Sequence, residues 1–343
     1  MDEVPKVVGF GEVMLRLKPP AHERLLQTPN LEARFGGSEY NVLASLSQFG
    51  LRTTLVGAVP DNELGASCLT DIRANAVGTE HMLISGDRLG LYFLEAGAGH
   101  RPSNVLYDRE ASAFSRLRSE DVDWGLVFEN CNWFHLSGIT PALSANLTQL
   151  SLAAISNAKQ QNIPVSFDFN FRSKLWEQNH LSAKTIFKEI VGSVDVLFAS
   201  EHDCAGCLEV FNEDTTSNPS SSYFTLTERM FEAFPNLSVM ASTFRQQISS
   251  DHNNLGAGLR NRDGYFMSRT YEMKDIIDRI GGGDAFAAGL IYGLMKQGTG
   301  QKVIDFATAA ACLKHTVPGD VNRVNVFEVE ELMRGKNIGS VLR

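Results

Sequence analysis

Short apolar runs alternate along the chain with segments whose apolar residues recur at helical spacing. Runs at residues 7–11 and 55–59 predict buried strands, and segments at 42–49 and 61–76 have apolar residues every three or four positions, which predicts helices. Gly78 is the predicted end of the second helix. The order strand, helix, strand, helix predicts a parallel sheet with helices on both faces.

The same alternation returns in the second half of the chain. Further strands are predicted at 133–136, 165–168, 194–199 and 237–242, and further helices at 144–160, 284–298 and 303–313. Polar residues follow several of these strands, at the carboxyl ends where open parallel sheets bind ligands. Residues 212–223 are rich in Ser, Thr and Asn and are predicted to form a surface loop, whereas the polar stretch 243–254 fits no element.

A segment with strand-like alternation interrupts this order. Residues 89–94 and 104–109 flank a glycine-containing loop, which predicts a strand, loop, strand unit. Alternation places Tyr92 on one face and Leu91 and Phe93 on the other. The polar, aromatic face suits a lid over a site, and an edge hairpin explains the pattern equally well. Exposed apolar strand faces often pair between subunits, so we expect a homo-oligomer, a dimer or larger.

Composition and charge narrow the functional classes. The chain has 343 residues, of which 43% are hydrophobic and 21% charged, enough for one large α/β domain or two smaller ones. The net charge of −9 and the lack of a basic run argue against nucleic acid as a partner. Asp2 and Glu3 stand where a signal peptide would be positively charged, and no apolar run approaches the ~18 residues of a membrane span. We therefore expect a cytoplasmic protein without a membrane partner.

The five cysteines do not form the pattern of a disulfide framework, since their number is odd and the chain is long. Cys204 and Cys207 form a C-x-x-C pair with His202 nearby, but no second pair supplies the remaining ligands of a zinc site. We interpret the pair as reduced thiols on a helix face.

A glycine triplet, Gly281, Gly282 and Gly283, directly precedes Asp284 and a long helical pattern. Backbone N–H groups in the first turn of a helix are unpaired and the helix dipole is positive there, so anions bind at that end, and glycines let a phosphoryl group approach the backbone. A carboxylate beside a bound phosphate would be repelled. Its presence makes sense if Asp284 is a base that takes the proton from an attacking hydroxyl. A glycine-rich turn with an acidic helix cap explains this stretch equally well on its own.

A second glycine turn lies near the N-terminus, where Gly36 and Gly37 precede Asn41. Together the two motifs resemble those of the ribokinase-like sugar kinases, also called the carbohydrate kinase B family, and the resemblance covers essentially the whole chain. The family signature Asp-Thr-x-Gly-Ala-Gly-Asp is matched by residues 278–284, with Arg279 in place of the threonine and Gly282 in place of the alanine.

The resemblance implies one α/β domain over residues 1–343, with the ribokinase-like three-layer αβα fold. Its mostly parallel central sheet would have helices on both faces, and a small β-strand lid would be built from about residues 12–36 and 87–112. The resemblance also implies ATP and Mg²⁺ as cofactors. Asp284 would be the base, and the N–H groups of the glycine triplet would hold the transferring phosphoryl group.

The resemblance is strongest to members that phosphorylate 2-keto-3-deoxygluconate to 2-keto-3-deoxy-6-phosphogluconate, through residues 134–141, 167–172 and the predicted lid. It implies acceptor contacts at Gly36, Gly37, Asn41, Tyr92, Tyr107, Arg109, Ile139 and Arg172. The two arginines fit a sugar acid, because a guanidinium recognises a carboxylate in a planar, two-pronged geometry that a neutral sugar does not need. The motifs do not separate the gluconate acceptor from its galactonate epimer.

Two departures from the family pattern affect the nucleotide site. The Asn-x-x-Glu motif becomes Ser200-x-x-Asp203, which implies Ser200 as a nucleotide ligand and Asp203 as a magnesium ligand. The turn that usually borders the nucleotide is replaced around Arg245, which would contact a phosphate beside Gly281 and Gly283. Two alternatives stay open: a kinase of the same fold acting on a neutral sugar such as fructose or ribose, and a non-catalytic sugar or nucleotide sensor.

Overall fold

Two β-sheets organise the computed structural model, which describes residues 4–178, 182–210, 219–298 and 300–335. The strands in these residues are β1 (Lys6–Phe10), β2 (Met14–Lys18), β3 (Glu32–Gly36), β4 (Arg52–Val59), β5 (Gly78–Ile84), β6 (Leu91–Glu95), β7 (Asn104–Asp108), β8 (Cys131–Ser137), β9 (Val165–Asp168), β10 (Val196–Phe198), β11 (Val239–Gln247), β12 (Asn253–Asn261), β13 (Tyr265–Met267) and β14 (Tyr271–Met273).

Helices connect most of these strands. They are α1 (Ser38–Gln48), α2 (Glu63–Ala74), α3 (Trp124–Val127), α4 (Ile139–Ala142), α5 (Ala145–Gln160), α6 (Ser173–Gln178), α7 (Ala183–Val191), α8 (Glu201–Asp203), α9 (Pro219–Ala233), α10 (Gly282–Lys296), α11 (Gln301–Lys314) and α12 (Val326–Met333), with 3₁₀ turns at Phe114–Arg116 and Ser119–Asp121 and a π-helical turn at Cys204–Leu208.

The larger sheet is mostly parallel. Its order is β13-β12-β11-β10-β9-β8-β1-β4-β5, with β14 beside β12. The strands from β11 to β5 in this order pair in parallel, whereas β12, β13 and β14 are antiparallel additions. The carboxyl ends of the parallel strands therefore lie along one edge of the sheet, where ligands bind in such folds.

Helices cover both faces of this sheet. Val7 belongs to a buried cluster with α1, α2, α10 and α11, and the next residue, Val8, belongs to another cluster with α5, α7 and α9. Successive side chains of a strand point to opposite faces, so each face packs against its own helical layer. The predicted αβα fold with a mostly parallel central sheet is confirmed.

The smaller sheet contains the strands predicted to form a lid. Its order is β3-β2-β6-β7, and β2 and β6 pair in parallel while the outer pairs are antiparallel. Met14, Tyr92 and Leu94 form a small buried cluster on its inner face, and Ile280 packs against this cluster. The lid therefore rests on the segment that leads into α10.

The predicted end of α2 was wrong. The helix ends at Ala74, and Gly78 opens β5, a strand that the apolar pattern did not predict. The chain turns at Ala76, which has a left-handed φ of 54°, so the change of direction is complete before the glycine. The side chains of β5 are only partly buried, which explains why the strand lacks a strong apolar signal.

The polar stretch 243–254 lies largely in a long antiparallel hairpin. β11 begins as a buried parallel strand, continues into exposed Arg245, Gln246 and Gln247, and pairs along its whole length with β12. The tip is polar on both faces, so neither a period of two nor a helical period marks it in the sequence.

The loop predicted at 212–223 falls partly outside the described residues, at positions 211–218. For the remainder the prediction was wrong, because α9 begins at Pro219. A proline fits the first turn of a helix, where its missing N–H needs no partner, so the residue read as a loop signal marks a helix start.

Features of a metal centre or a membrane span are not found in the described part of the chain. Cys204 and Cys207 are buried in the π-helical turn, and no group of three or more His, Cys, Asp or Glu side chains there could hold a metal ion. None of the described helices combines the length and the apolar character needed to cross a bilayer.

Candidate active site

A cavity of about 320 Å³ lies between the lid and the carboxyl ends of the parallel strands. It is lined by every residue predicted to contact the acceptor, Gly36, Gly37, Asn41, Tyr92, Tyr107, Arg109, Ile139 and Arg172, and by Arg245, Gly281, Gly283 and Asp284. The fold thus brings the two glycine motifs and the lid to one place, while the roles of these residues stay predictions.

Asp284 lies in the first turn of α10 and is bound by the N-terminal glycine motif. Asn41 Nδ2 donates to Asp284 Oδ2 at 2.7 Å, and Ser38 Oγ donates to Oδ1 at 3.2 Å. Burial raises the pKa of Asp284 to about 7, against the opposing effect of the Asn41 hydrogen bond. A carboxylate with this pKa is substantially ionised at neutral pH and can still accept a proton, as a general base must.

The three glycines before Asp284 are constrained in different ways. Gly281 has φ 82°, and a Cβ there would overlap the carbonyl oxygen of Asp320. A Cβ on Gly282 would lie 2.6 Å from the ring of His315, whereas one on Gly283 would have no atom within 4 Å. The turn is therefore packed behind its first two glycines and open at the third, where an anion can approach the unpaired N–H groups of the helix.

Arg109 is buried and already has an anionic partner. Its Nε donates to Glu12 Oε2 at 2.8 Å, Nη2 donates to the same oxygen, and Ser112 Oγ donates to Oε1. The sequence prediction missed Glu12, because a pair separated by 97 positions leaves no local spacing signal. The charge of Arg109 is therefore balanced before an acceptor enters.

Arg172 is an exposed arginine of the cavity. Its Nη1 donates to the carbonyl oxygen of Phe171 at 3.1 Å, and it forms no ion pair within the described residues. It follows a turn in which Asn170 has a left-handed φ of 39° and donates from Nδ2 to Ser38 Oγ at 3.2 Å. Arg172 is thus a guanidinium available for an anionic group of a ligand.

Asp168 is a cavity residue that the sequence prediction missed. It ends β9 and lines the cavity together with Asp284 and Arg172. Burial, and then the nearby charge of Asp284, raise the pKa of Asp168 to about 8, while Arg172 opposes this shift. At neutral pH the protonated form predominates, and it can donate a hydrogen bond to a ligand oxygen. The polar turn after the predicted strand at 165–168 was the available signal.

Arg245 and Arg279 line both this cavity and a second cavity of about 410 Å³ under the tip of the β11–β12 hairpin. Arg245 Nη2 contacts Nε2 of His315 at 3.3 Å. Burial lowers the pKa of His315 to about 4, so its neutral ring can accept this bond. Desolvation, and then the charge of Arg279, lower the pKa of Arg245 to about 10. Two guanidiniums this close together favour a multiply charged anion between them.

Ser200 and Asp203 do not line the cavity but cap α8. Asp203 Oδ2 accepts from the N–H and Oγ of Ser200 at 2.8 and 2.6 Å, and Asp203 N–H donates to Ser200 Oγ at 3.3 Å. This capping box satisfies both residues locally. A single carboxylate nevertheless fits Mg²⁺, which commonly binds through one or two carboxylates plus substrate phosphates and keeps several waters.

The sequence and the fold both match known sugar kinases. Residues 4–219 and 256–325 match the family described as pfkB family carbohydrate kinase. The unmatched segment includes β11 and the hairpin tip, where the sequence departs from the nucleotide motif. A 2-dehydro-3-deoxygalactonokinase from Haloferax volcanii is 31% identical over 97% of this chain and 98% of its own length.

Two solved structures are also similar. The 2-dehydro-3-deoxygluconokinase of Thermotoga maritima is 38% identical, with a TM-score of 0.91 over 96% of this chain and 100% of that one. A fructokinase from Xylella fastidiosa with bound ATP is 17% identical, with a TM-score of 0.76 over 96% of this chain and 98% of that one, and shares the fold. The ribokinase-like fold predicted from the two glycine motifs is thereby confirmed.

Proposed function

The chain belongs to the pfkB family of carbohydrate kinases, and we propose that it is a sugar-acid kinase that transfers the γ-phosphoryl group of ATP to 2-keto-3-deoxygluconate or its galactonate epimer. The names of the Haloferax volcanii and Thermotoga maritima proteins describe kinases of these two sugar acids, and both proteins align with nearly the whole chain. The observation that carries the proposal is the position of Asp284, at the open head of α10 and in one cavity with Arg172. A neutral sugar would leave that arginine without a partner.

Phosphoryl transfer in this site would use Asp284 as the base. Asp284 takes the proton of the acceptor's primary hydroxyl as its oxygen bonds to the γ-phosphorus, and the bond from that phosphorus to the β,γ-bridging oxygen breaks, releasing ADP. The N–H groups at the open side of the glycine turn, near Gly283, stabilise the charge on the transferring group. Asn41 and Ser38 orient the carboxylate.

The nucleotide phosphates would be held by cations of this chain. Arg245 and Arg279 line the cavity beside Gly281 and Gly283, and both would contact phosphate oxygens. Arg279 stands where the family signature has threonine, so this chain has a cation in place of a hydroxyl. Mg²⁺ would neutralise the nucleotide oxygens, and Asp203 would hold it through one carboxylate while substrate phosphates and waters supply the other ligands.

We expect turnover to fall at acidic pH with an apparent pKa near that of Asp284. The folded-state pKa of this carboxyl is raised from 3.8 to about 7, so it is increasingly protonated below that pH and cannot take the acceptor's proton. Turnover should fall about tenfold per pH unit on the acidic side, measured as kcat between about pH 5 and 9 at saturating substrates. The Asp168→Asn variant should retain this limb, whereas a flat profile down to about pH 5 would remove Asp284 from the base role.

The substrate class is tested by a coupled ADP-release assay across both keto-deoxy sugar acids, fructose and ribose, with wild type and Arg172→Leu. We expect turnover with the sugar acids only. Loss of a charge-assisted hydrogen bond, about 1.5–3 kcal/mol, should raise KM for the sugar acid about 10- to 100-fold in Arg172→Leu. Lys174→Leu, a nearby exposed cation that does not line the acceptor cavity, is the matched control. An unchanged KM in Arg172→Leu, or preference for a neutral sugar, would overturn the sugar-acid proposal.

A further inference from the structure

We propose that Arg16 and Asp320 are positioning residues that fasten the lid to the phosphoryl-binding turn, so that the phosphoryl group is transferred to the acceptor and not to water. The inference rests on the proposed kinase function. It concerns residues of the lid and of the chain after α11, which the family motifs do not include.

Arg16 connects the lid to two carboxylates of the kinase core. It lies on lid strand β2, is 1% exposed, and donates from Nη2 to Asp278 Oδ2 at 2.6 Å and from Nη1 to Asp320 Oδ1 at 2.5 Å. These bonds can form only while β2 lies against the turn that precedes α10. A buried guanidinium with two carboxylate partners fixes this arrangement far more strictly than a surface ion pair.

Asp278 transmits this contact into the phosphoryl-binding turn. Its Oδ1 accepts from the backbone N–H of Ile280 at 3.1 Å, and its Oδ2 accepts from the N–H of Gly319 at 3.0 Å. The side chain that binds Arg16 thus also sets the path of the backbone into Gly281. A displaced Arg16 would leave this carboxylate buried and incompletely paired.

Asp320 touches both glycine motifs and the acceptor side of the lid. A Cβ on Gly36 would overlap its Oδ2, and a Cβ on Gly281 would overlap its backbone oxygen. The hydroxyl of Tyr92, a cavity residue of lid strand β6, donates to the same Oδ2. The chain Tyr92, Asp320, Arg16 and Asp278 therefore joins an acceptor-facing side chain to the turn that would hold the phosphoryl group.

Lys314 completes the charge balance of this group. Its side chain is buried, and Nζ donates to Val317 O at 3.1 Å and to Asp278 O at 3.5 Å. Two cations, Arg16 and Lys314, thus face two anions, Asp278 and Asp320, beneath the glycine turn. A balanced, hydrogen-bonded group of charges is rigid, because displacing one member leaves another unpaired in a poorly solvated place.

The functional consequence concerns water. If the lid separates from the turn, water enters the cavity and competes with the acceptor hydroxyl. In that reaction the oxygen of water bonds to the γ-phosphorus, the bond to the β,γ-bridging oxygen breaks, the proton passes to Asp284, and ADP and inorganic phosphate are released. Loosening the lid should therefore raise ADP release that is not matched by sugar phosphate.

The test compares Arg16→Lys and Asp320→Asn with wild type. A lysine cannot reach both carboxylates as a two-pronged guanidinium does, and an asparagine removes one charge of the pair. We expect the ratio of ADP to sugar phosphate to be close to one in wild type, and acceptor-independent ADP release to rise at least about tenfold in both variants. The KM for ATP should change little, because neither side chain is among the residues proposed to hold the nucleotide phosphates.

Arg34→Lys is the matched control, since Arg34 is the exposed cross-strand neighbour of Arg16 in the lid. It should keep the wild-type ratio. An unchanged rate of acceptor-independent ADP release in Arg16→Lys and Asp320→Asn, or failure of both variants to fold, would show a purely structural role and overturn the inference. If wild type transfers no phosphoryl group to a sugar acid, both the proposed function and this inference fail. If wild type and variants form sugar phosphate with the same acceptor-independent ADP release, only this inference fails.

Discussion

Asp284→Asn is expected to lower turnover at least about 100-fold, the lower end of the contribution of a positioned general base, while the acceptor still binds. Asparagine keeps the shape of the side chain. Its amide oxygen can still accept from Asn41 and its amide nitrogen can donate to the Ser38 hydroxyl oxygen, so the two glycine motifs stay joined. It cannot take a proton. The measurement is kcat from ADP release together with acceptor affinity by calorimetry. Near-normal turnover would mean that another group is the base.

The same variant should not be less stable at alkaline pH. In the folded protein the pKa of Asp284 is raised from 3.8 to about 7, so the carboxyl favours folding while it is protonated, and this contribution is lost as the pH rises through about 7. Asparagine removes the buried charge, and the unfolding temperature at about pH 8 should be equal to or above that of wild type. Asp123→Asn, at the exposed cap of α3, is the control for replacing an acid at a helix start.

Much of the fold follows from local patterns, and the exceptions share a cause. A strand buried on both faces, such as β1, contains a continuous apolar run, and α10 has a clear helical period after its glycines. β5 and the outer half of the β11–β12 hairpin are partly exposed and polar, so neither has a period that the sequence displays. Local pattern predicts buried elements well and exposed edge strands poorly.

The candidate site divides in the same way. Asp168 and Glu12 line the cavity but were missed, whereas the predicted acceptor contacts follow from the family resemblance. The hydrogen-bonding and ion-pair partners of these residues could not be predicted from the sequence. Arg16 and Asp320 are 304 positions apart, and only the folded chain shows that Tyr92 donates to the second of them. Long-range pairing of charges leaves no spacing signal, so the sequence could not show which arginines are already neutralised.

Gly281→Ala is expected to abolish most phosphoryl transfer and to lower the unfolding temperature. At φ 82° an alanine lowers the free energy of unfolding by about 1–2 kcal/mol through its backbone conformation alone. Its Cβ would also overlap the backbone oxygen of Asp320, which cannot move away by rotating a side chain. The turn must therefore move, and Asp284 and the first N–H groups of α10 would move with it. Wild-type stability in this variant would contradict the left-handed turn.

Gly283→Ala tests whether this turn binds the phosphoryl group without disturbing how the turn packs. Gly283 lies inside α10, where alanine is favoured over glycine by about 1 kcal/mol, and its Cβ would meet no atom within 4 Å. Stability should therefore be kept or increased. The free space lies in the cavity, so a methyl group there would obstruct a phosphoryl group approaching the helix, and kcat should fall by at least about tenfold. Full activity with raised stability would mean that the phosphoryl group does not approach α10 from that side, and the anion site would have to be assigned to Arg245 and Arg279 alone.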